Sequence, residues 1–242
     1  MRPLPKAILF DLDDTIISAY SQPGLAWDAV AQEFADDLAP VPPDEFAGAV
    51  VDAAEAFWTH PELQKARRLD MTASRRAIVE HAFDALRAAG RPVPSAEVAT
   101  RIADRFTAFR EERMHVFEGA FETLEHFRRS GVKLALVTNG AAVFQRAKID
   151  RFGLEPYFDH IQIEGEHGFG KPEEAAYQHA LQALGVQASE AWMVGDNLEW
   201  EVAAPQRLGI YAIWHDHLGT GLPEGSGVSP DRITTRLIEL VT

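Results

Sequence analysis

The sequence predicts an α/β protein: a mainly parallel sheet covered by helices on both faces, interrupted after its first strand by an all-helical insertion. Three observations predict it. A short apolar run near the N-terminus, KAILFD at 6–11, ends in acid, as expected of a strand buried on both faces. Residues 25–113 then change to helical spacing, rich in Ala, Glu, Arg and Leu,. From residue 117 onward apolar runs alternate with helical segments, and such alternation builds a parallel sheet.

Taken in order, 6–11 is the first strand. In the insertion, 44–58 and 72–89 suit amphipathic helices, set apart by the prolines at 42 and 43 and by the GRPVP run at 90–94,. In the second half, apolar runs at 132–137, 191–194 and 210–214 are strands, and 119–129, 141–152, 173–184 and 199–208 are helices,. The expected organisation is a core of 1–20 with 114–242, and a helical domain of 21–113.

Composition narrows the function. At 242 residues and 46% apolar, the chain can bury a core without staples,. The absence of cysteine removes disulfides, thiolate metal sites and a Cys nucleophile,. A net charge of −14 repels phosphate backbones, so nucleic acid is not an expected partner,. The N-terminus reaches acid before any long apolar stretch, and no run approaches a bilayer span,. A cytoplasmic protein is expected, with no membrane partner.

In open α/β sheets chemistry collects at the carboxyl ends of strands. Here those ends carry Asp11-Leu12-Asp13-Asp14-Thr15, Thr138-Asn139-Gly140 and Gly195-Asp196-Asn197, with Gly170-Lys171-Pro172 in an intervening loop. Each alone is ordinary: Asp-x-Asp serves turns and caps, and a lone lysine is usually solvated. Together they supply crowded carboxylates, which need a cation. Oxygen ligands with no histidine cluster favour Mg²⁺. Lys171 and free backbone N–H groups then suit an anion opposite the metal. Metal, anion pocket and spare carboxylate make a phosphoryl-transfer site.

The chemistry assigns the roles. Asp11 is the expected nucleophile, forming an aspartyl phosphate. Asp13 is the acid that protonates the leaving alkoxide and the base that then activates water. Thr138 and Lys171 hold the non-bridging oxygens, with Leu12 and Asn139 completing the phosphate-binding set. Asp11, Asp13 and Asp196 are the expected metal ligands.

The set Asp11-x-Asp13-x-Thr15, Leu136-Val137-Thr138-Asn139-Gly140, Gly170-Lys171-Pro172 and Gly195-Asp196 resembles the haloacid dehalogenase superfamily, in that family's motif order and over essentially the whole chain. The resemblance implies a Rossmann-like three-layer core with a helical cap inserted between the first two motifs. The run 138–161 is most similar to the small-metabolite phosphatases of the superfamily. It implies a Mg²⁺-dependent phosphatase acting on a small phosphate monoester such as a sugar phosphate or nucleotide. Asp13 argues against halide displacement, in which the leaving group needs no proton, and Thr15 favours a phosphatase over a phosphomutase. A phosphomutase or other phosphotransferase, and a receiver-like Mg²⁺-binding module, stay open as alternatives. Glu201 departs from the Asp common at its position; its longer arm either ligates magnesium through water or holds Lys171.

The insertion is expected to choose the substrate, with Trp27, Phe57, Trp58, Arg67, Arg68, Arg75 and Arg76 as candidate contacts beside the plainer alternatives of helix packing and a solvated face,. Lys65, the insertion's one lysine, is not expected to act as a Schiff base. The nine histidines look scattered, with His167, His215 and His217 expected at the surface.

Overall fold

A computed structural model describes residues 3–19 and 22–241. The chain forms two compact units, Met1–Ser18 with His115–Thr242, and Ala19–Met114. The boundary expected between residues 20 and 21 lies outside the described residues.

The first unit is built on a six-stranded, all-parallel sheet. Its strands are β1 (Ala7–Phe10), β4 (Lys133–Thr138), β5 (His160–Ile163), β6 (Ala191–Gly195), β7 (Tyr211–His215) and β8 (Arg232–Thr234), in the order β5-β4-β1-β6-β7-β8. All four residues of β1 are buried, which explains its unbroken apolar run. Register brings the strand ends level: Phe10 pairs with Leu136 on one side and Val194 on the other. Ala7, Leu9, Ala135, Val137, Ala191 and Met193 pack against Tyr177, Ala180, Leu181 and Leu184 of a helix at Glu174–Leu184. Trp192 points to the opposite face, as the period-two pleat requires, and meets Phe127 of the helix Ala120–Arg129 edge-on at 6.2 Å. Helices therefore cover both faces. The short strands β2 (Ile17–Ser18) and β3 (His115–Val116) form a separate antiparallel pair.

The second unit is all-helical: α1 (Pro23–Glu33), α2 (Ala35–Leu38), α3 (Pro43–Trp58), α4 (Pro61–Leu69), α5 (Met71–Ala88) and α6 (Ala96–Arg113). Proline opens α1, α3 and α4, where its missing N–H costs nothing. Asp70 caps α5 by accepting from the Ala73 N–H at 3.0 Å. Its core holds Trp27 stacked on Phe106, ring centroids 3.5 Å apart, and Phe46 against Phe83. In the first unit follow α7 (Ala120–Arg129), α8 (Ala142–Arg151), α9 (Glu164–His167), α10 (Glu174–Leu184) and α11 (Ala204–Arg207). Among the described residues no helix is long and apolar enough to cross a membrane.

Three details differ from expectation. The helix expected at 199–208 is a widened π-type segment, Leu198–Ala203, running into α11. Pro205 has no N–H to give the carbonyl of Glu201, so the α-ladder is broken there. Strands β5 and β8 are additions, because their short sequences HIQI and RIT carry no continuous apolar run. His215 is buried, not at the surface; its ring shares a hydrogen bond with the Asp14 carbonyl at 3.1 Å, and burial pushes its pKa down to about 4.

Candidate active site

Because β1, β4 and β6 end level, the residues following them meet. Asp11 extends from Phe10 and donates its N–H to the Val194 carbonyl at 3.0 Å. The chain then turns sharply: the Leu12 carbonyl accepts from the N–H groups of Ile16 and Ile17 at 2.9 and 3.0 Å. Asp14 sits in the turn with φ 57, a left-handed conformation that Asp tolerates. Thr15 donates its hydroxyl to Asp11 Oδ2 at 3.1 Å.

Lys171 lies 160 residues from Asp11 in sequence and 2.5 Å away through Nζ–Oδ1. The same ammonium contacts Glu201 Oε1 at 2.7 Å. Lys171 and Glu201 are 0% and 1% exposed. Burial alone pushes the lysine pKa down, but the charges of Asp11 and Glu201 outweigh it and hold Lys171 protonated,. Asn139 fixes the backbone here: its side-chain oxygen accepts from the Lys171 N–H at 2.8 Å and its amide donates to the Lys171 carbonyl at 2.6 Å. A Cβ on Gly170 would stand 2.6 Å from Asn139 Oδ1 and 2.7 Å from Glu164 Cδ, so only glycine admits this clasp.

Glu201 is turned back over β6. Its second oxygen accepts from the Asn197 N–H at 2.8 Å, and a Cβ at Gly195 would lie 2.0 Å from its Cγ. Burial pushes its pKa up to about 7, against the opposing pull of Lys171. Asp196 follows β6, and its carboxylate takes no hydrogen bond from the described residues. Burial, then the negative charges of Glu201, Asp11 and Asp14, raise its pKa well above the carboxylate range. Burial also raises Asp11, with Lys171 opposing.

Asp13 faces α8. Lys148 Nζ lies 2.7 Å from both of its oxygens, and Gln145 Nε2 donates to Oδ2 at 3.1 Å. Gln145 Nε2 also donates to the Thr138 hydroxyl, so one amide ties Asp13 to Thr138. The expected residues Asp11, Asp13, Thr138, Asn139, Lys171, Asp196 and Glu201 thus share one neighbourhood, and Leu12 supplies its backbone to the turn and to Asp11. Lys148, Gln145 and Glu164, which accepts from the Gly140 N–H at 3.0 Å, were not legible. They lie on helices, where a lysine or glutamine carries no local signal.

The insertion's candidate side chains are largely spent on its own packing. Trp27 is stacked in its core. Phe57 meets Trp58 edge-on, and the Arg67 guanidinium lies over Phe57 at 3.8 Å. Arg76 pairs bidentately with Asp104, and Arg75 donates to Thr107 at 2.9 Å.

Residues 5–209 match the family model described as haloacid dehalogenase-like hydrolase. The chain is 41% identical to phosphoserine phosphatase of Thermus thermophilus over 137 residues, 56% of this chain and 53% of that protein. It is 30% identical to glyceraldehyde 3-phosphate phosphatase of Methanopyrus kandleri over 223 residues, 86% of this chain and 82% of that protein. The chain spans about half the length of the first curated relatives it matches. Among solved structures, the magnesium-bound putative HAD-hydrolase YfnB of Bacillus subtilis aligns with a TM-score of 0.67 at 21% identity, covering 98% of this chain and 97% of that one.

Proposed function

Since the chain belongs to the haloacid dehalogenase-like hydrolases, we propose that it is a Mg²⁺-dependent phosphatase hydrolysing a small phosphate monoester through an aspartyl phosphate on Asp11. The observation that carries this reading is the buried Asp11–Lys171–Glu201 chain with Asp196 beside it and Asp13 alongside, held by Lys148 of α8. The names of the relatives support a phosphorylated metabolite as substrate.

The donor set fits a hard divalent cation. Asp11 and Glu201 share the buried Lys171 ammonium, their charges and that of Asp14 act on Asp196, and no hydrogen-bond donor among the described residues meets the Asp196 carboxylate. Oxygen-only ligands of this kind suit Mg²⁺. Asp11 and Asp196 would hold it; Glu201, with one oxygen on Lys171 and the other on Asn197, is the anchor of the lysine. When bound, the ion neutralises carboxylate charge and polarises the phosphoryl oxygens.

An Asp11 carboxylate oxygen attacks phosphorus as the bond to the leaving alcohol breaks. Asp13 gives that alcohol oxygen a proton. It then takes one from water, which attacks the same phosphorus and releases inorganic phosphate and the Asp11 carboxylate. Lys171 stabilises charge on the non-bridging oxygens, and the Thr138 hydroxyl orients them.

A screen of phosphorylated metabolites with Mg²⁺, scored by released phosphate and ranked by kcat/KM, tests the proposal. Asp11→Asn should fold normally and release no phosphate from an aryl phosphate, given how slow uncatalysed hydrolysis is. Substantial turnover by that variant would sink the assignment. Stoichiometric labelling without turnover would point to a receiver, and phosphorylated product without free phosphate to a mutase.

A further inference from the structure

The histidines that look scattered in sequence are not scattered in space. His160 opens the sheet-edge strand β5, His167 ends α9, and His179 lies within α10. Ring centroids are 4.9 Å apart for His167–His179, 5.3 Å for His160–His179 and 6.3 Å for His160–His167. One ring nitrogen from each lies within 4.8 Å of the other two. We propose that His160, His167 and His179 bind a first-row transition-metal dication, Zn²⁺ or a close analogue, at a site distinct from the carboxylate cluster.

The surroundings prepare these imidazoles as ligands. His179 directs Nδ1 at Gln162 Oε1, 2.8 Å away, and Gln162 Nε2 donates to the Ala176 carbonyl at 2.8 Å. That second bond settles which end of the Gln162 amide faces the ring, so Nδ1 of His179 is the donor. His167 likewise donates Nδ1–H to the Ile163 carbonyl at 3.1 Å. A neutral imidazole that donates from one nitrogen carries its lone pair on the other, and an oriented Nδ1–H is the usual support of a metal-binding histidine. Nε2 of His160 is buried and meets no hydrogen-bond partner among the described residues, whereas buried polar atoms are ordinarily paired.

Three imidazoles select borderline ions over Mg²⁺ or Ca²⁺, which prefer oxygen. Ligands ~2.0–2.1 Å from a tetrahedral ion stand ~3.4 Å from one another, so the nitrogens need close by at most ~1.4 Å. Phe169 walls the cluster, 5.5 Å from His179 and 5.8 Å from His167. Such an ion would cross-link the sheet edge to α9 and α10 on either side of the turn carrying Lys171.

The test uses the full chain, stripped by chelator and titrated with Zn²⁺ in excess Mg²⁺. One Zn²⁺ per chain should bind, raise Tm, and bind ~10-fold or more weakly in His160→Ala and in His179→Ala. Asp196→Asn should keep the site. Co²⁺ added to the unmodified protein should give the visible spectrum of a tetrahedral, nitrogen-ligated ion, a readout that needs no variant to fold. No Zn²⁺ uptake, equal affinity in the histidine variants, loss in Asp196→Asn alone, or an all-oxygen octahedral Co²⁺ spectrum would each overturn the proposal.

Discussion

The Lys148 ammonium lies 2.7 Å from both carboxylate oxygens of Asp13, across 135 residues of sequence. Both side chains are largely withdrawn from solvent, at 11% and 15% exposure, so the pair is screened less than a surface bridge. Asp13 is thereby held to one orientation, with Gln145 tying it to Thr138. Removing that constraint should leave binding intact and disturb proton transfer. Lys148→Met is expected to lower kcat up to ~10²-fold, the scale of a misplaced catalytic group, with KM little changed. Lys148→Arg should recover part of the loss. Equal rates for all three proteins would show that the pair is structural decoration.

The Asp196 and Glu201 carboxyls are raised in the folded protein, Glu201 to about 7. A raised acid contributes stability while protonated and loses it as pH climbs through its folded value. His215 acts in the opposite sense: lowered to about 4 from 6.5, it costs stability only below the ordinary histidine value. Above pH 6.5 the carboxylates therefore dominate. Without metal, Tm should fall from pH 6.5 to about 8, Mg²⁺ should restore it, and Asp196→Asn should flatten both effects. Calorimetry showing a level or rising metal-free Tm across that window would contradict the electrostatic picture.

Glu201 and Asp11 share the buried charge of Lys171. Glu201→Ala should destabilise the protein by about 3 kcal/mol or more, as expected when one partner of a buried ion pair is removed. Urea unfolding measures it. Gly195→Ala attacks the same contact sterically, since its Cβ would fall 2.0 Å from Glu201 Cγ. It should lose about 1–3 kcal/mol and slow turnover together; a neutral Gly195→Ala would mean that Glu201 relocates freely.

Both amide atoms of Asn139 hold the Lys171 backbone. Asn139→Ala is expected to cost about 1–3 kcal/mol and to lower kcat by loosening the lysine's turn, while Asn139→Asp keeps the acceptor and loses the donor. Equilibrium unfolding and steady-state kinetics on both variants separate the two bonds.

Much of the core was legible because buried parallel strands must be apolar. The runs ending at Phe10, Thr138 and Gly195 announce themselves, and the polar residues at and just beyond their ends form the candidate site. Legibility failed where the signal is spatial. Strand β5 places His160 and Gln162 toward His179 of α10, so its four residues alternate polar and apolar and make no continuous apolar run. Lys148 and Gln145 are buried on α8 only because Asp13 and Thr138 face them. Glu201 showed in sequence as a departure from an expected aspartate; its two bonds to Lys171 and Asn197 give the longer arm a use.

Strands β2 and β3 pair antiparallel, Ile17 with Val116 and Ser18 with His115. The helical excursion therefore leaves and rejoins through a single doorway in the framework. A cassette attached at one doorway can be shortened, extended or exchanged wholesale while every strand of the larger sheet keeps its register, and a few-residue loop from Ser18 to His115 would be enough to seal the frame behind it. A replaced insertion would leave Phe10, Leu136 and Val194 paired, and with them the level strand ends from which Asp11, Thr138 and Asp196 extend.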